Sequence, residues 1–362
     1  MLKIQSLAVI ISLIICTITY SQTTVNPDIS VIGDMRVSIH DQKGTDDYSK
    51  LDLALHEIEI AANGYLNPFT RADVFLAIHG PEASIEIEEA YMTIVRGLPL
   101  GLQMKAGQYL LDFGKINTQH PHQWSWIERP LVYQVMFGND GLRDVSLNFS
   151  GQYPLGKSAL NLSANLMRGH IGGHHHNDEG NEVVEEEEAR PDLGICMRSS
   201  IFTMLSKFTA FDFGISTLRG EVDPNENHYA TMTAIDFKLK WRPDSYRSLT
   251  FIGEALQNRR TVDDEDSPSG SKDITSYGGF FAMDYQFRKR WDSGVFVDYT
   301  QGVNDSDENQ TGYGIFAGFA LVEETTRFGL LLRRDDNLEN VQWNTALLQI
   351  LWSLGPHKPH KF

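Results

Sequence analysis

The residues best suited to chemistry are histidines and carboxylates in two groups. His120 and His122 flank Pro121, with Glu128 following, and His170, His174, His175 and His176 precede an acidic run that includes Glu179, Glu182 and Glu185. Neutral imidazole is a good ligand for zinc and its neighbours, and carboxylates can complete such a site. The second group has no fixed ligand spacing, so its composition points to loose capture of Zn²⁺ or Cu²⁺ on a flexible loop, or else to a solvated acidic loop. His120 and His122 have a competing reading as hydrogen-bonding residues that shape a turn. No nucleophile elbow, phosphate loop or paired-cysteine zinc motif is present, and no Ser/His or Asp/His pair stands out. The expectation is therefore a non-enzyme that requires no cofactor, with weakly bound Zn²⁺ or another divalent metal as the candidate ligand.

The formal charge of −17 excludes a general nucleic-acid binder, which needs clustered Lys and Arg. Lys3 followed by an apolar run over residues 7–18, broken by Ser12 and Thr17, reads as a secretory signal peptide comprising 1–21, leaving 22–362 as a single domain. Ile15 before Cys16 argues against lipoprotein processing. Cys196 is then the sole remaining cysteine, so no intramolecular disulfide can form. After the leader, no stretch approaches the ~18–20 apolar residues of a transmembrane helix.

The elements that must carry these residues are strands. Apolar and polar residues alternate at period two: Val145, Leu147 and Phe149 oppose Ser146, Asn148 and Ser150, and Thr233, Ile235, Phe237 and Leu239 oppose Asp236, Lys238 and Lys240. About sixteen such segments occur, at 29–38, 51–61, 71–79, 84–95, 102–108, 142–153, 158–168, 191–202, 208–218, 229–241, 248–258, 274–287, 291–301, 312–321, 327–334 and 342–354. Short connections (97–101, 154–157, 243–247, 289–290, 322–325) alternate with longer polar ones (40–50, 169–190, 219–227, 259–273, 302–310), and 80–83 is the clear exception. Short periplasmic turns and long extracellular loops characterise membrane barrels, and a sheet in lipid must close to pair its backbone. The fold class expected is all-β, a transmembrane antiparallel β-barrel with aromatics near strand ends, including Tyr109, Tyr153, Trp241, Trp291 and Tyr299.

The longest connection, 109–143, carries Trp124, Trp126, Glu128 and Arg129 and then a mostly apolar stretch over 131–137. It is too apolar to extend into water, so it is expected to fold inward as the third extracellular loop, with those four residues at a constriction. Packing against the rim is the alternative. The lumen phase mixes Lys105, Arg198, Lys238, Lys240, Arg288, Arg327 and Arg333 with Glu86, Asp212, Asp236, Glu254, Asp284 and Asp298, while the acidic loops would steer cations inward. Cys196 shares that phase as a small packed residue.

The stretches Glu88-Glu89-Ala90-Tyr91, Leu98-Pro99-Leu100-Gly101-Leu102-Gln103-Met104-Lys105-Ala106-Gly107-Gln108, Asp112-Phe113-Gly114-Lys115-Ile116-Asn117, His120-Pro121-His122 and Arg129-Pro130-Leu131-Val132, with the ending Leu354 to Phe362, resemble a family of Gram-negative outer-membrane porin-like proteins. That family is loosely related to phosphate-selective porins, and some members are linked to zinc limitation. The resemblance implies residence in the outer membrane, lipid around the wall and passive diffusion of small solutes or metal ions, and the terminal aromatic Phe362 is of the kind by which the barrel assembly machinery recognises such chains. A metal-linked role for His120 and His122 comes with it. The mixed lumen charge does not match a phosphate-selective channel. A homotrimer is compatible with the pattern. The second reading is a non-conducting surface barrel whose His/Glu-rich loop binds metal or a partner.

Overall fold

The computed structural model describes residues 27–42, 48–80, 84–169, 171, 192–223, 228–264, 267, 270–322, 325–337 and 341–356. The expected signal peptide and the terminal aromatic Phe362 lie outside the described residues.

Sixteen strands form one closed antiparallel barrel in which each pairs with its sequence neighbours. The first half comprises β1 (Asp28–His40), β2 (Asp52–Asn67), β3 (Thr70–His79), β4 (Ser84–Ile94), β5 (Gln103–Leu110), β6 (Arg143–Leu155), β7 (Ser158–Met167) and β8 (Gly194–Ser206). The second half comprises β9 (Thr209–Asp223), β10 (His228–Trp241), β11 (Ser248–Asp263), β12 (Ser271–Arg288), β13 (Trp291–Gln301), β14 (Asn309–Val322), β15 (Thr326–Asp336) and β16 (Gln342–Leu354). Closure comes from pairing of β1 with β16, in register from Val31 opposite Leu354 to His40 opposite Thr345. No sheet edge is left, as the hydrocarbon core of a bilayer demands.

Side-chain parity is inside-out relative to a water-soluble sheet. Leu162, Ile195, Met197, Ile215, Ile235, Val297, Ile315, Leu332 and Leu348 are exposed on the outer face, while Asp34, Asn148, Arg198, Asp236, Glu254 and Asp298 are buried inside. An apolar band of this extent matches a lipid-facing surface. Trp241, Trp291 and Tyr299 face outward as expected. Tyr109 does not: it has the inward parity of β5 and is buried, and its hydroxyl donates to Asn165 Oδ1 at 3.1 Å. The strand β2 runs to Asn67, beyond the expected end at 61, because its pairing with β3 carries Asn63 and Gly64 along despite their weak strand preference.

Two irregularities bear on function. Between β3 and β4, Phe75 pairs with Glu89 and Leu76 with Ile87, so Glu88 is an extra residue on β4. Between β1 and β2, Asp34 pairs with Glu57 and Met35 with Leu55, which leaves His56 as the extra residue. Such bulges break strict alternation and re-aim side chains.

The outward parity can be checked by substitution. Ile315→Arg, in the middle of β14, is expected to lower stability in lipid vesicles by about 2–4 kcal/mol, the usual cost of arginine at the bilayer midplane. Asn161→Arg, on the inward face of β7, should cost far less in the same denaturant titration.

Candidate functional site

The segment joining β5 to β6 (111–142) crosses the barrel interior. Its root is clasped by Asn117, whose Nδ2 donates to the carbonyls of Leu111 and Leu142 at 2.8 Å each and whose Oδ1 accepts from the Leu142 N–H at 2.8 Å. From there it bonds to strands around the wall. Glu254 on β11 accepts from the Lys115 and Ile116 N–H groups at 2.5 and 2.7 Å on one oxygen and from the Tyr133 hydroxyl at 2.5 Å on the other. Lys115 Nζ pairs with Asp212 on β9 at 2.8 Å, Ser125 donates to Asp284 on β12 at 2.9 Å, and the Leu131 N–H donates to Asp298 on β13 at 3.1 Å. Gly114, with φ +63°, passes so near Glu254 and Tyr133 that a Cβ there would overlap both. A short helix, α1 (Leu131–Phe137), packs Val132, Tyr133, Met136 and Phe137 into the interior with Phe113, Ile116, Trp124 and Ile127.

The four residues expected at a constriction are placed as follows. Trp124 and Trp126 are buried and stack at 6.4 Å between ring centroids. The Arg129 guanidinium lies 5.0 Å from the Trp124 ring, and its burial pulls its pKa below the ordinary arginine value. Glu128 reaches across to Arg333 on β15 at 3.3 Å and is not beside His120, contrary to the expected His/Glu128 grouping. The chain turns at Ile127, whose φ is +73°, and carries Glu128 to β15, three strands round the wall from β2.

His120 and His122 instead meet the β2–β4 wall. His120 Nδ1 stands 3.1 Å from Glu59 Oε2 and 3.4 Å from Glu88 Oε2, and His122 Nδ1 stands 3.4 Å from Glu59 Oε2. The carboxylates of Glu59 and Glu88 and the His120 imidazole each offer a donor atom within 4.8 Å of the others, a grouping able to hold a metal ion. On its other side, His120 Nε2 lies 2.9 Å from Glu89 Oε1. A carboxylate only accepts, so Nε2 carries the proton and a neutral ring turns its Nδ1 lone pair toward Glu59 and Glu88. Glu89 is itself held by Lys105 Nζ at 3.6 Å and by the Leu110 N–H at 3.3 Å. The Phe75 ring stacks on His120 at 4.9 Å. Burial alone would lower the His120 pKa, but the Glu59 charge and the contacts with Glu59, Glu88 and Glu89 outweigh it and hold the ring well above its usual value.

Of the metal-ligand candidates read from the sequence, His120 and His122 are thus brought together, while His170, His174, His175, His176 and Glu185 lie outside the described residues. Glu59, Glu88 and Glu89 were missed. A signal for them exists: Glu57 and Glu59 recur at period two, as do Glu86 and Glu88, and Glu89 breaks that period where the bulge falls.

No family model matches the chain. An uncharacterised protein of Aquifex aeolicus is 32% identical over 246 residues, covering 62% of this chain and 50% of that one, so the chain spans about half the length of the curated relative it matches. Among solved structures, the barrel is similar to the outer-membrane channel DcaP of Acinetobacter baumannii (TM-score 0.58, 11% identity, 92% of this chain and 99% of that one). It is also similar to OprB of Pseudomonas putida (0.58, 9%, 91% and 94%) and to an anion-selective porin of Comamonas acidovorans (0.57, 9%, 91% and 99%). At these identities the likeness defines the class of fold, the outer-membrane β-barrel.

Replacing Glu254 with Ala removes the acceptor of two backbone N–H groups and one hydroxyl in the interior, each costing about 1–3 kcal/mol when left unpaired. Hydrogen exchange read by mass spectrometry should show the amides of Lys115 and Ile116 exchanging at least tenfold faster, with the β-strand amides unchanged.

Proposed function

We propose that the chain is a porin-like channel of the bacterial outer membrane, through which small solutes and ions, divalent metal cations among them, diffuse passively. The observation that carries this reading is a polar cavity of about 350 Å³ inside the wall, lined by Gln103, Asp112, Ser150, Asn161, Ser163, Arg198 and Ser200. Its amides and hydroxyls solvate an ion or a small polar molecule without trapping it, and its two charged residues, Arg198 and Asp112, face each other at 3.5 Å. The crossing segment, which carries Trp124, Trp126, Glu128 and Arg129, then serves as the constriction. The porin and channel neighbours support the same reading, and a homotrimer is compatible with the trimer-form structure of OmpT of Vibrio cholerae among them. The inner-wall charges largely neutralise one another, as in Arg198 with Asp236 and Arg327 with Asp292. Selectivity would therefore come from the excess carboxylate of the β2–β4 sector and the overall charge of −17, which favour cations.

A second reading, a non-conducting surface barrel that binds metal or a partner through its loops, is favoured by how much apolar surface the crossing segment buries in the interior. Planar-bilayer recording of the purified protein separates the two. The channel reading expects small unitary currents with a cation-leaning reversal potential in a salt gradient, and a severalfold larger conductance for Glu254→Ala. Absence of current in both proteins under all conditions would sink the channel reading in favour of the surface barrel.

A further inference from the structure

The wall beneath His120 carries more negative charge than the protein neutralises. Glu57, Glu59 and Glu89 are buried there and Glu88 is half-buried. Lys105 is paired with Glu89, while the surrounding arginines are engaged elsewhere: Arg36 with Asp34, Arg71 with Asp73, Arg143 with Glu86. Glu59 is 3% exposed and His120 5%. With the His120 ring neutral, Glu59 Oε2, Glu88 Oε2 and His120 Nδ1 have no hydrogen bond, Nδ1 facing the two oxygens at 3.1 and 3.4 Å, and only a proton on Nδ1 or a cation between them satisfies all three. Buried polar atoms left in this way are costly unless something else satisfies them.

We propose that Glu59, Glu88 and His120 form a binding site for a divalent cation of the zinc class, and that the bound ion fastens the crossing segment to the β2–β4 wall. Four-coordinate zinc with bonds of about 2.0–2.1 Å sets its donor atoms roughly 3.3 Å apart, and His120 Nδ1 stands 3.1 and 3.4 Å from the Glu59 and Glu88 oxygens. An imidazole nitrogen with two carboxylate oxygens suits zinc, cobalt or nickel better than calcium or magnesium, which take oxygen ligands. The His122 Nδ1, 3.4 Å from Glu59 Oε2, is the next donor in reach. Glu89 is the positioning residue: it accepts from His120 Nε2, the outer partner that metal-bound histidines almost always have. The β4 bulge is what makes the site, since strict alternation would not present Glu88 and Glu89 to one histidine from adjacent positions. Two ligands belong to the wall and one to the crossing segment, so the ion adds a second bridge between them beside the His120–Glu89 hydrogen bond. Toward the long-loop end of the same strands, His79 lies 3.7 Å from Glu86 and beside Glu57 across the β2–β3 pair, a line of ligand-type side chains by which a cation would approach.

The proposal deepens the channel reading and rests on it only for the idea that the ion acts on a conducting path; metal binding itself can be tested without current. Full-length protein, stripped with chelator and folded in detergent, is titrated with Co²⁺, whose visible absorption reports low-coordinate nitrogen and oxygen ligation, and with Zn²⁺ as competitor. Stoichiometric binding displaced by zinc is expected. It should persist when His170, His174, His175 and His176 are all changed to Asn, and fall at least tenfold in Glu59→Gln, Glu88→Gln and His120→Gln. Glu89→Gln should weaken binding by about 10–100-fold while keeping the cobalt spectrum, as expected for an outer partner. Resistance of the folded barrel to unfolding in detergent on gels confirms that each variant folds. Zinc should also slow amide exchange over residues 116–124 in the wild type and not in Glu59→Gln. No binding by the wild type, or binding unchanged in the three ligand variants, overturns the site. Binding without slower exchange overturns the fastening. A silent bilayer with intact cobalt binding would reject the channel while leaving the metal site standing.

Discussion

Every backbone N–H and C=O inside a bilayer has to find a partner within the protein, and the rest of this structure follows from that constraint. The chain meets it by closing sixteen strands through the β1–β16 seam. A closed sheet of that size encloses more space than its own inward side chains can fill, whereas an eight-stranded barrel fills itself. The interior must therefore be filled by water or by chain. Here the connection between β5 and β6 supplies chain, and its passage across the interior explains why so apolar a segment sits where a polar loop outside the barrel would otherwise start.

Placing that segment inside the barrel transfers the pairing problem to its own backbone, since it has little regular secondary structure beyond α1. The wall carboxylates answer it. Glu254 and Asp298 accept N–H groups that no strand or helix partner reaches, and Asp212 and Asp284 hold side chains of the same segment. Inward acids on β9 to β13 are thus part of how the crossing segment is held as well as of the lumen's electrostatics. On β2 to β4 the relation is different. There the acids meet the segment's histidines and, at Glu89, the single backbone N–H of Leu110, and a surplus of carboxylate remains against Lys105. The two sides of the same segment differ in chemistry for that reason, one docked by hydrogen bonds and the other presenting ligand-type atoms to one another.

Much of the architecture was legible in the chain because the property that decides it is local. Period-two alternation, such as that of 142–153 against its polar partners, reports a sheet with one apolar face, and strand parity correctly assigned Arg198, Asp236, Glu254 and Asp298 to the interior. The same parity would have assigned Tyr109 inward, but its aromatic character near a strand end suggested the membrane interface. Parity is the stronger guide, because one residue of slip reverses every side chain of a strand.

Taken alone, then, the sequence determined the closed barrel, its strand number and the inward or outward sense of most side chains, and it marked His120 and His122 as ligand-type residues. What only the tertiary structure decided is which residues meet them. Glu128, near in sequence, is carried to Arg333 on β15, while Glu59 and Glu88 arrive from strands brought side by side by pairing through β3. The register of those strands and the one-residue bulge at Glu88 depend on the fit between neighbouring strands, and the path of 111–142 depends on acceptors spread around the whole wall. Neither leaves a pattern within a short stretch of sequence, because each is set by contacts between residues far apart in the chain.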